Sequence, residues 1–410
     1  MLALVTVTLR MALRNVLRQR RRSTIALGAI SFGVIAMMLS AGYIEWVFWA
    51  NREQAAVHQF GHIQVSQPGF QAQGKADPMA FLMPETSQIP QVIGAMPGIR
   101  SVFPRIEFNG LIAHGDDTLA FVGLGVDPDK DPAVIHLDIT AGQAIDARDR
   151  MGILLGFGLA ANLGVKPGDR VVLLASTPKG GINAVEVYVR GLAATNLKAY
   201  DDVMLRVHID IARELLRTPG RNHLWVATLE RTELTDAVVR RLKTHPDLAG
   251  YDITPWHQLA DFYNKTVALF SRQMGVVKLI IAIIIILSIS NTMSMSVMER
   301  TREIGTAMAL GFRRRRILSL FLSEGVILGA IGGSIGVALG YLLAQLISAI
   351  GIPMPPAPGM SRGFVAGIVI TPGILVDALA LAIGSTLIAS LYPSWRASRL
   401  VIVDALRHNR

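Results

Sequence analysis

The sequence contains no cysteine, so neither a disulfide nor a thiolate metal site can hold any part of it together. It is also poor in charge: only 17% of its 410 residues are Asp, Glu, Lys or Arg, against 51% hydrophobic ones, and the mean hydropathy is +0.43. Soluble domains carry about 25% charged residues, so this composition points to a membrane protein. Acidic residues are scarce outside the middle of the chain. Residues 51–267 hold 24 Asp+Glu against 21 Lys+Arg, whereas the rest holds 6 against 19, so the net charge of +10 belongs to the apolar ends. A nucleic-acid binder would put its basic face on the soluble part, and here that part is slightly acidic. The sequence has no G-x-x-x-x-G-K-[ST] phosphate loop and no H-E-x-x-H pair. Catalysis by this chain, a bound cofactor and a resident metal are therefore not expected. His58 and His62 have an i, i+4 spacing that suits a metal, but no third ligand accompanies them. Asp116-Asp117 and Asp201-Asp202 read as turn carboxylates.

What the sequence does have is long apolar runs. From Leu279 to Val297 there is no charge at all, and about 20 such residues at 1.5 Å rise cover the ~30 Å hydrocarbon layer. Glu299, Arg300, Arg302, Glu303 and the arginines Arg313 to Arg316 follow, and then a second, glycine-rich apolar run. The positive-inside rule makes this charged segment a cytoplasmic turn between two spans.

The rest of the chain falls into place around that turn. Residues 1–22 space Arg10, Arg14 and Arg18 at i, i+4, i+8, which reads either as an amphipathic helix on the inner membrane face or as an orientation signal. Residues 23–58 form the first span and a stalk, too long an apolar run for a cleaved signal peptide, with Tyr43, Trp46 and Trp49 as an outer aromatic belt. Residues 59–107 with 222–262 predict a membrane-proximal α+β subdomain, in which Thr232 is a candidate N-cap. Residues 108–221 predict an inserted β-rich subdomain, with glycine turns near Gly115, Gly168 and Gly180. A stalk and second span at 263–298, a cytoplasmic segment at 299–315, a third span at 316–350, an outer loop at 351–370, a fourth span at 371–392 and a cytoplasmic tail at 393–410 complete the chain. The fold class is thus four transmembrane α-helices with a large α+β extracytoplasmic domain inserted between the first two. In the third span Gly325, Gly329, Gly332, Gly333, Gly336 and Gly340 have overlapping small-xxx-small spacing for close helix packing. Glu324 is expected to pair with an arginine of the basic rim, and Glu45 and Asp377 to lie near the outer face.

The segment MERTREIGTAMALGFRRRRILSLFLSEGVILGAIGGSIG resembles the signature of the FtsX-like ABC transporter permeases, the group that includes MacB, LolC and LolE, and the tail YPSWRASRLVIVDALR is similar to that family's ending. ILLGFGLAANLGVKPGDRVVL resembles the β subdomain of the same group. The resemblance implies a permease without a fused ATPase domain, working with a separate ABC ATPase dimer that binds Mg-ATP, and with a second permease copy as homodimer or related heterodimer. It makes residues 299–315 a coupling helix, with Arg302, Glu303, Ile304, Gly305, Met308, Ala309, Leu310 and Gly311 at the ATPase and an apolar ridge of Ile304, Met308 and Leu310 entering its groove. Arg313 to Arg316 read as headgroup anchors. The implied action is mechanotransmission in the bacterial inner membrane, with both termini cytoplasmic and the large domain periplasmic. Three uses compete: release of lipoprotein or lipid from the outer leaflet to a periplasmic carrier, MacB-like efflux of peptides or amphiphiles with an adaptor and outer-membrane channel, and FtsX-like signalling to cell-wall hydrolases. The sequence leans to the first.

Overall fold

A computed structural model describes residues 11–15, 18, 20–74, 77–84, 88–135, 137–195, 198–355 and 363–400. Arg10 of the N-terminal arginine series, part of the outer loop and residues 401–410 of the tail lie outside them. The chain forms two compact units, one of Met1–Phe48, Thr266–Pro353 and Val365–Arg410, the other of Trp49–Lys265 with Met354–Phe364.

The first unit is helical. Helix α1 spans Arg20–Glu53 and runs on as a π-helical segment, Gln54–Gln59; α2 is Asp261–Glu299, α3 Thr301–Ala309, α4 Arg314–Ile350 and α5 Pro372–Ser398. Four of these are long and apolar enough to cross a membrane, and α1 with its π segment (40 residues) and α2 (39 residues) both exceed the ~20 that a bilayer requires. The helix of the fourth span runs beyond residue 392: α5 continues through Pro393 to Ser398. Proline removes one backbone donor, which a membrane helix tolerates where neighbouring hydroxyls and helices satisfy the freed group. Ala389, Ser390, Pro393 and Ser394 are all buried there.

The glycines of α4 sort onto two faces. A Cβ on Gly325 or Gly329 would strike Ser390 or Thr386 of α5, and one on Gly333 would sit 3.0 Å from Ala382. On the other face a Cβ at Gly332 would lie 3.0 Å from Ile30 of α1, at Gly336 2.7 Å from Val34, and at Gly340 3.1 Å from Met38. Each set has four-residue spacing, so α4 lies between α1 and α5 with its backbone close to both, as helices in lipid do when small residues line the contact. Ser31 Oγ of α1 donates to the Gly332 carbonyl at 2.9 Å, a side-chain bond that this proximity permits.

The second unit is built on a mixed sheet. Its strands are β1 Ile63–Ser66, β2 Ile99–His114, β3 Asp117–Val126, β4 Asp138–Gly142, β5 Gly152–Gly156, β6 Arg170–Ser176, β7 Ile182–Ala194, β8 Met204–His208, β9 Leu224–Leu229 and β10 Asp252–Pro255. The order is β10-β1-β9-β2-β3-β8-β5-β7-β4, with β6 pairing both β2 and β7. Strand β2 belongs to both predicted subdomains. Ile99–Arg105 pairs with β9 and Ile106–His114 with β3, so the partner changes between Arg105 and Ile106. One apolar core lies on each side of that change: Ile63, Trp225 and Val239 belong to one, Phe121, Leu173 and Leu205 to the other.

Arg105 stands where the pairing changes and is almost wholly buried. Its Nε and Nη2 donate to the two carboxylate oxygens of Asp131, both at 2.6 Å, and its Nη1 donates to the Gln59 carbonyl at 2.7 Å. Burial works against the charge, but the Asp131 carboxylate outweighs it and raises the guanidinium pKa above its ordinary value. This one side chain therefore ties the end of the π segment, the shared strand and the Asp131 loop together.

Two histidines are buried nearby. His62 Nδ1 accepts from the Leu229 amide at 3.2 Å and its Nε2 lies 3.1 Å from Thr232 Oγ1; His223 Nδ1 accepts from the Glu107 amide at 3.1 Å. Burial lowers both from 6.5 to about 4, so both are neutral at pH 7. Thr232 is not an N-cap. It opens the 3-10 turn Thr232–Leu234 ahead of the helix Thr235–Lys243; its hydroxyl donates to Glu53 Oε1 at 3.3 Å and lies against His62, and the helix has no side-chain cap.

Two expectations follow. Gly329→Ile and Gly336→Ile should each cost about 1–3 kcal/mol by overpacking, seen as lower thermal stability of the detergent-solubilised chain, whereas Gly384→Ala, with nothing within 4 Å of its Cβ, should leave the melt unchanged. In the second unit the unfolded histidines titrate near 6.5 and the folded ones near 4, so the unfolded state binds the extra protons between those values. Stability should fall as pH drops from 6.5 to 4 and level off below, by on the order of 3 kcal/mol per histidine. Urea melts of the His62→Gln/His223→Gln variant, followed through Trp225 fluorescence, should show lower stability at pH 7 and a flatter slope through that window.

Candidate coupling site

The segment between α2 and α4 is shaped by its own backbone. Arg300, with φ −98° and ψ 10°, separates α2 from α3. At the other end Gly311 takes φ +93°, a left-handed conformation that glycine adopts without penalty. The Gly311 amide donates to Met308 at 3.0 Å and the Phe312 amide to Ala307 at 3.1 Å, which closes the helix in a Schellman turn before Arg313 opens α4.

The faces of α3 differ from the ridge expected from sequence. Ile304 and Met308 are 6% and 9% exposed and belong to the core of the membrane unit together with Val297, Ile317 and Phe321, and Gly305 is buried beside them. Their i, i+4 spacing attaches α3 to its own bundle. The exposed face holds Arg302, Glu303, Thr306, Ala309, Leu310 and Gly311, with Leu310 79% exposed. Of the predicted apolar ridge, only Leu310 is free to meet another molecule.

A polar network fixes this segment. Glu324, one face of α4 inward and 4% exposed, accepts through Oε1 from Asn15 Nδ2 at 2.6 Å and from Arg300 Nη1 at 2.9 Å. Arg300 also reaches Glu303 Oε2 at 3.3 Å, and its guanidinium lies 5.4 Å from the centre of the Phe321 ring. Arg18 pairs with Glu303 at 3.5 Å, and Arg22 pairs with Glu299. A carboxylate in an apolar bundle is tolerated when it is paired and hydrogen-bonded, and removing one partner of such a pair costs about 3–5 kcal/mol. Through Glu324 and Arg300 the network joins the N-terminal helical residues 11–15, the α2–α3 junction and α4.

Glu324 was expected to pair with an arginine of the basic rim, and that arginine is Arg300. Asn15 was missed because the N-terminal stretch was read through its arginines; the available signal was that a lone carboxylate in an apolar span needs a donor. The six glycines of α4 are buried at the helix contacts already described. Asp377 pairs with Lys278 at 2.6 Å, which ties α5 to α2. Asp201 is buried and accepts from the Thr195 amide at 2.8 Å, and Asp202 pairs with Lys198 at 3.0 Å, so the two serve separate partners. Among the described residues no group of three or more His, Asp or Glu is placed to hold a metal.

Comparison with known proteins bears on the whole chain. Residues 23–245 match the MacB-like periplasmic core domain and residues 275–402 the FtsX-like permease C-terminal domain. The ABC transporter permease MJ1507 of Methanocaldococcus jannaschii is 24% identical over 83% of this chain and 84% of its own length. The lipoprotein-releasing system transmembrane protein LolC of Neisseria meningitidis is 24% identical over 76% of this chain and 79% of its own. The macrolide export ATP-binding/permease protein MacB of Hyphomonas neptunium is 26% identical over 99% of this chain and 61% of its own length. Other relatives are matched over 36% and 47% of their own length. Four candidate spans, a large domain between the first two and a family model covering more than half of the residues lead to one conclusion: the chain belongs to the ABC transporter permeases of the MacB-like, FtsX-like family.

Proposed function

We propose that the chain is the permease subunit of an ABC transporter in which a separate ATPase dimer hydrolyses Mg-ATP and this chain turns that cycle into movement of its extracytoplasmic domain. The observation that carries the reading is the coupling segment. Helix α3 is held to the membrane unit on one face by Ile304, Met308 and the Arg300–Glu324 pair, and offers Arg302, Thr306 and Leu310 on the other. A short helix so attached moves with its bundle when a partner pushes on the exposed face. The sequence has no phosphate loop, which supports hydrolysis by another subunit. Two ATPase subunits require two coupling helices, so a second permease copy completes the assembly.

The basic excess on the span flanks supports an inner-membrane location with both termini cytoplasmic and the large domain periplasmic. The substrate class we favour is lipoprotein or lipid released from the outer leaflet to a periplasmic carrier, since LolC matches this chain over most of both lengths. The second reading, efflux of peptides or amphiphiles with an adaptor, is favoured by the MacB match over 99% of this chain. In either case the chain itself performs no bond chemistry and holds no cofactor.

Because the chain has no native cysteine, single cysteines are clean probes. Leu310→Cys and Arg302→Cys should crosslink in native membranes to a protein identified by mass spectrometry as an ABC ATPase, whereas Ile304→Cys and Met308→Cys should not. Capture of the ATPase from all four positions equally, or from none, overturns the coupling assignment. Lipoprotein or lipid in the crosslinked complex supports extraction, and a periplasmic adaptor supports efflux.

A further inference from the structure

Along the Glu303, Ile304 and Ala307 edge of α3 lies a cavity of about 340 Å³. That is within the ~300–1,000 Å³ range of small-ligand pockets. Its walls are mostly apolar: Ile304 of α3, Phe312 of the linker, and Ile317, Leu320 and Phe321 of α4, with Met11 from the N-terminal helix. Its polar members differ in what remains of their charge. Arg300 and Glu303 neutralise one another, and Glu324 and Arg18 take the remainder. Arg316 is different: its guanidinium lies 5.2 Å from the centre of the Phe312 ring, and among the described residues it has no carboxylate partner. Arg313, Arg314 and Arg315 precede it, all three exposed and likewise without an ion pair among the described residues.

An uncompensated cation in the lining, Arg316, and the apolar walls beside it match an anionic amphiphile. The four arginines occupy the start of a helix long and apolar enough to cross a membrane, where lipid phosphates lie. Most of the lining is side-chain carbon, which suits acyl chains. We propose that this cavity binds one anionic phospholipid, with its phosphate at Arg316 and the neighbouring arginines and its acyl chains against Ile317, Leu320 and Phe321. The lipid would lie against Ile304 and Ala307, and would therefore support the coupling helix from beside the strip of Arg302, Thr306 and Leu310. The site stands on the cavity and its charge alone, so it is independent of which substrate the assembly moves.

The test uses the full chain in mild detergent, incubated with phosphatidylglycerol or phosphatidylcholine and examined by native mass spectrometry. Wild type should retain one phosphatidylglycerol and shed phosphatidylcholine. Arg313→Gln/Arg316→Gln, which changes only exposed side chains, should bind phosphatidylglycerol at least about fivefold more weakly, the factor expected for even one arginine lost at an anionic headgroup. Leu320→Trp, which fills the cavity, should reduce retention while the arginines are intact, and a thermal melt verifies that this variant is folded. Equal retention of both lipids, or unchanged phosphatidylglycerol binding in the arginine variant, overturns the proposal. So does an acidic protein that co-purifies through these arginines with no lipid adduct.

Discussion

The membrane unit depends on one buried carboxylate. Glu324 lies among apolar side chains of α4, where a charge without partners would cost several kcal/mol, and it is satisfied by Arg300 and Asn15. Those two residues come from distant parts of the chain: Asn15 from the N-terminal stretch and Arg300 from the junction between α2 and α3. The pairing thus fixes where three separate pieces of chain meet. With it in place, Ile304 and Met308 can pack inward and α3 becomes part of the bundle, exposing a narrow strip for a partner.

The same economy of polar groups operates in the second unit. Arg105 is as deeply buried as any apolar residue, and all its nitrogens are aimed at specific acceptors, two on Asp131 and one on the Gln59 carbonyl. It stands on the residue of β2 after which the pairing partner changes, so both halves of the sheet and the end of the π segment converge on one guanidinium. A π segment is an irregular helix with strained hydrogen bonding, and such segments cluster at functional positions. Here its last carbonyl is held from outside the helix, by the sheet. A joint of this kind resists deformation better than an apolar contact, because its hydrogen bonds are directional.

Much of the architecture was legible because hydrophobic length is a coarse and reliable signal. Four apolar runs, the domain between the first two and the small-residue spacing of α4 can be read from residue type alone, and the family signature around MERTREIG covers α3. The partition of α3 was not legible. Ile304, Met308 and Leu310 look alike in sequence, and only the packing of α4 against the segment decides that the first two turn inward and the third outward. Thr232 fitted an N-cap pattern, but a buried histidine and Glu53, 170 and 179 residues away in sequence, compete for its hydroxyl. Arg105 gave no signal, since its partners Gln59 and Asp131 are 46 and 26 residues away and none of the three belongs to a motif. In each of these cases the missing information is long-range. Local patterns specify the elements, and pairing across the fold specifies which face does the work.

The central claim is that events at the coupling helix reach the extracytoplasmic domain. Lys179, in the exposed turn between β6 and β7, offers a labelling position far in sequence from both the spans and the coupling segment, and a cysteine there is the only one in the chain. With spin labels at that position in the purified permease–ATPase assembly, the distance distribution between the two permease copies should be measured in the nucleotide-free state and after trapping with ATP and vanadate. The account predicts a shift in the distribution on trapping, abolished when Glu324→Leu uncouples α3 from α4. An unchanged distribution, in an assembly that hydrolyses ATP at its normal rate, would contradict it.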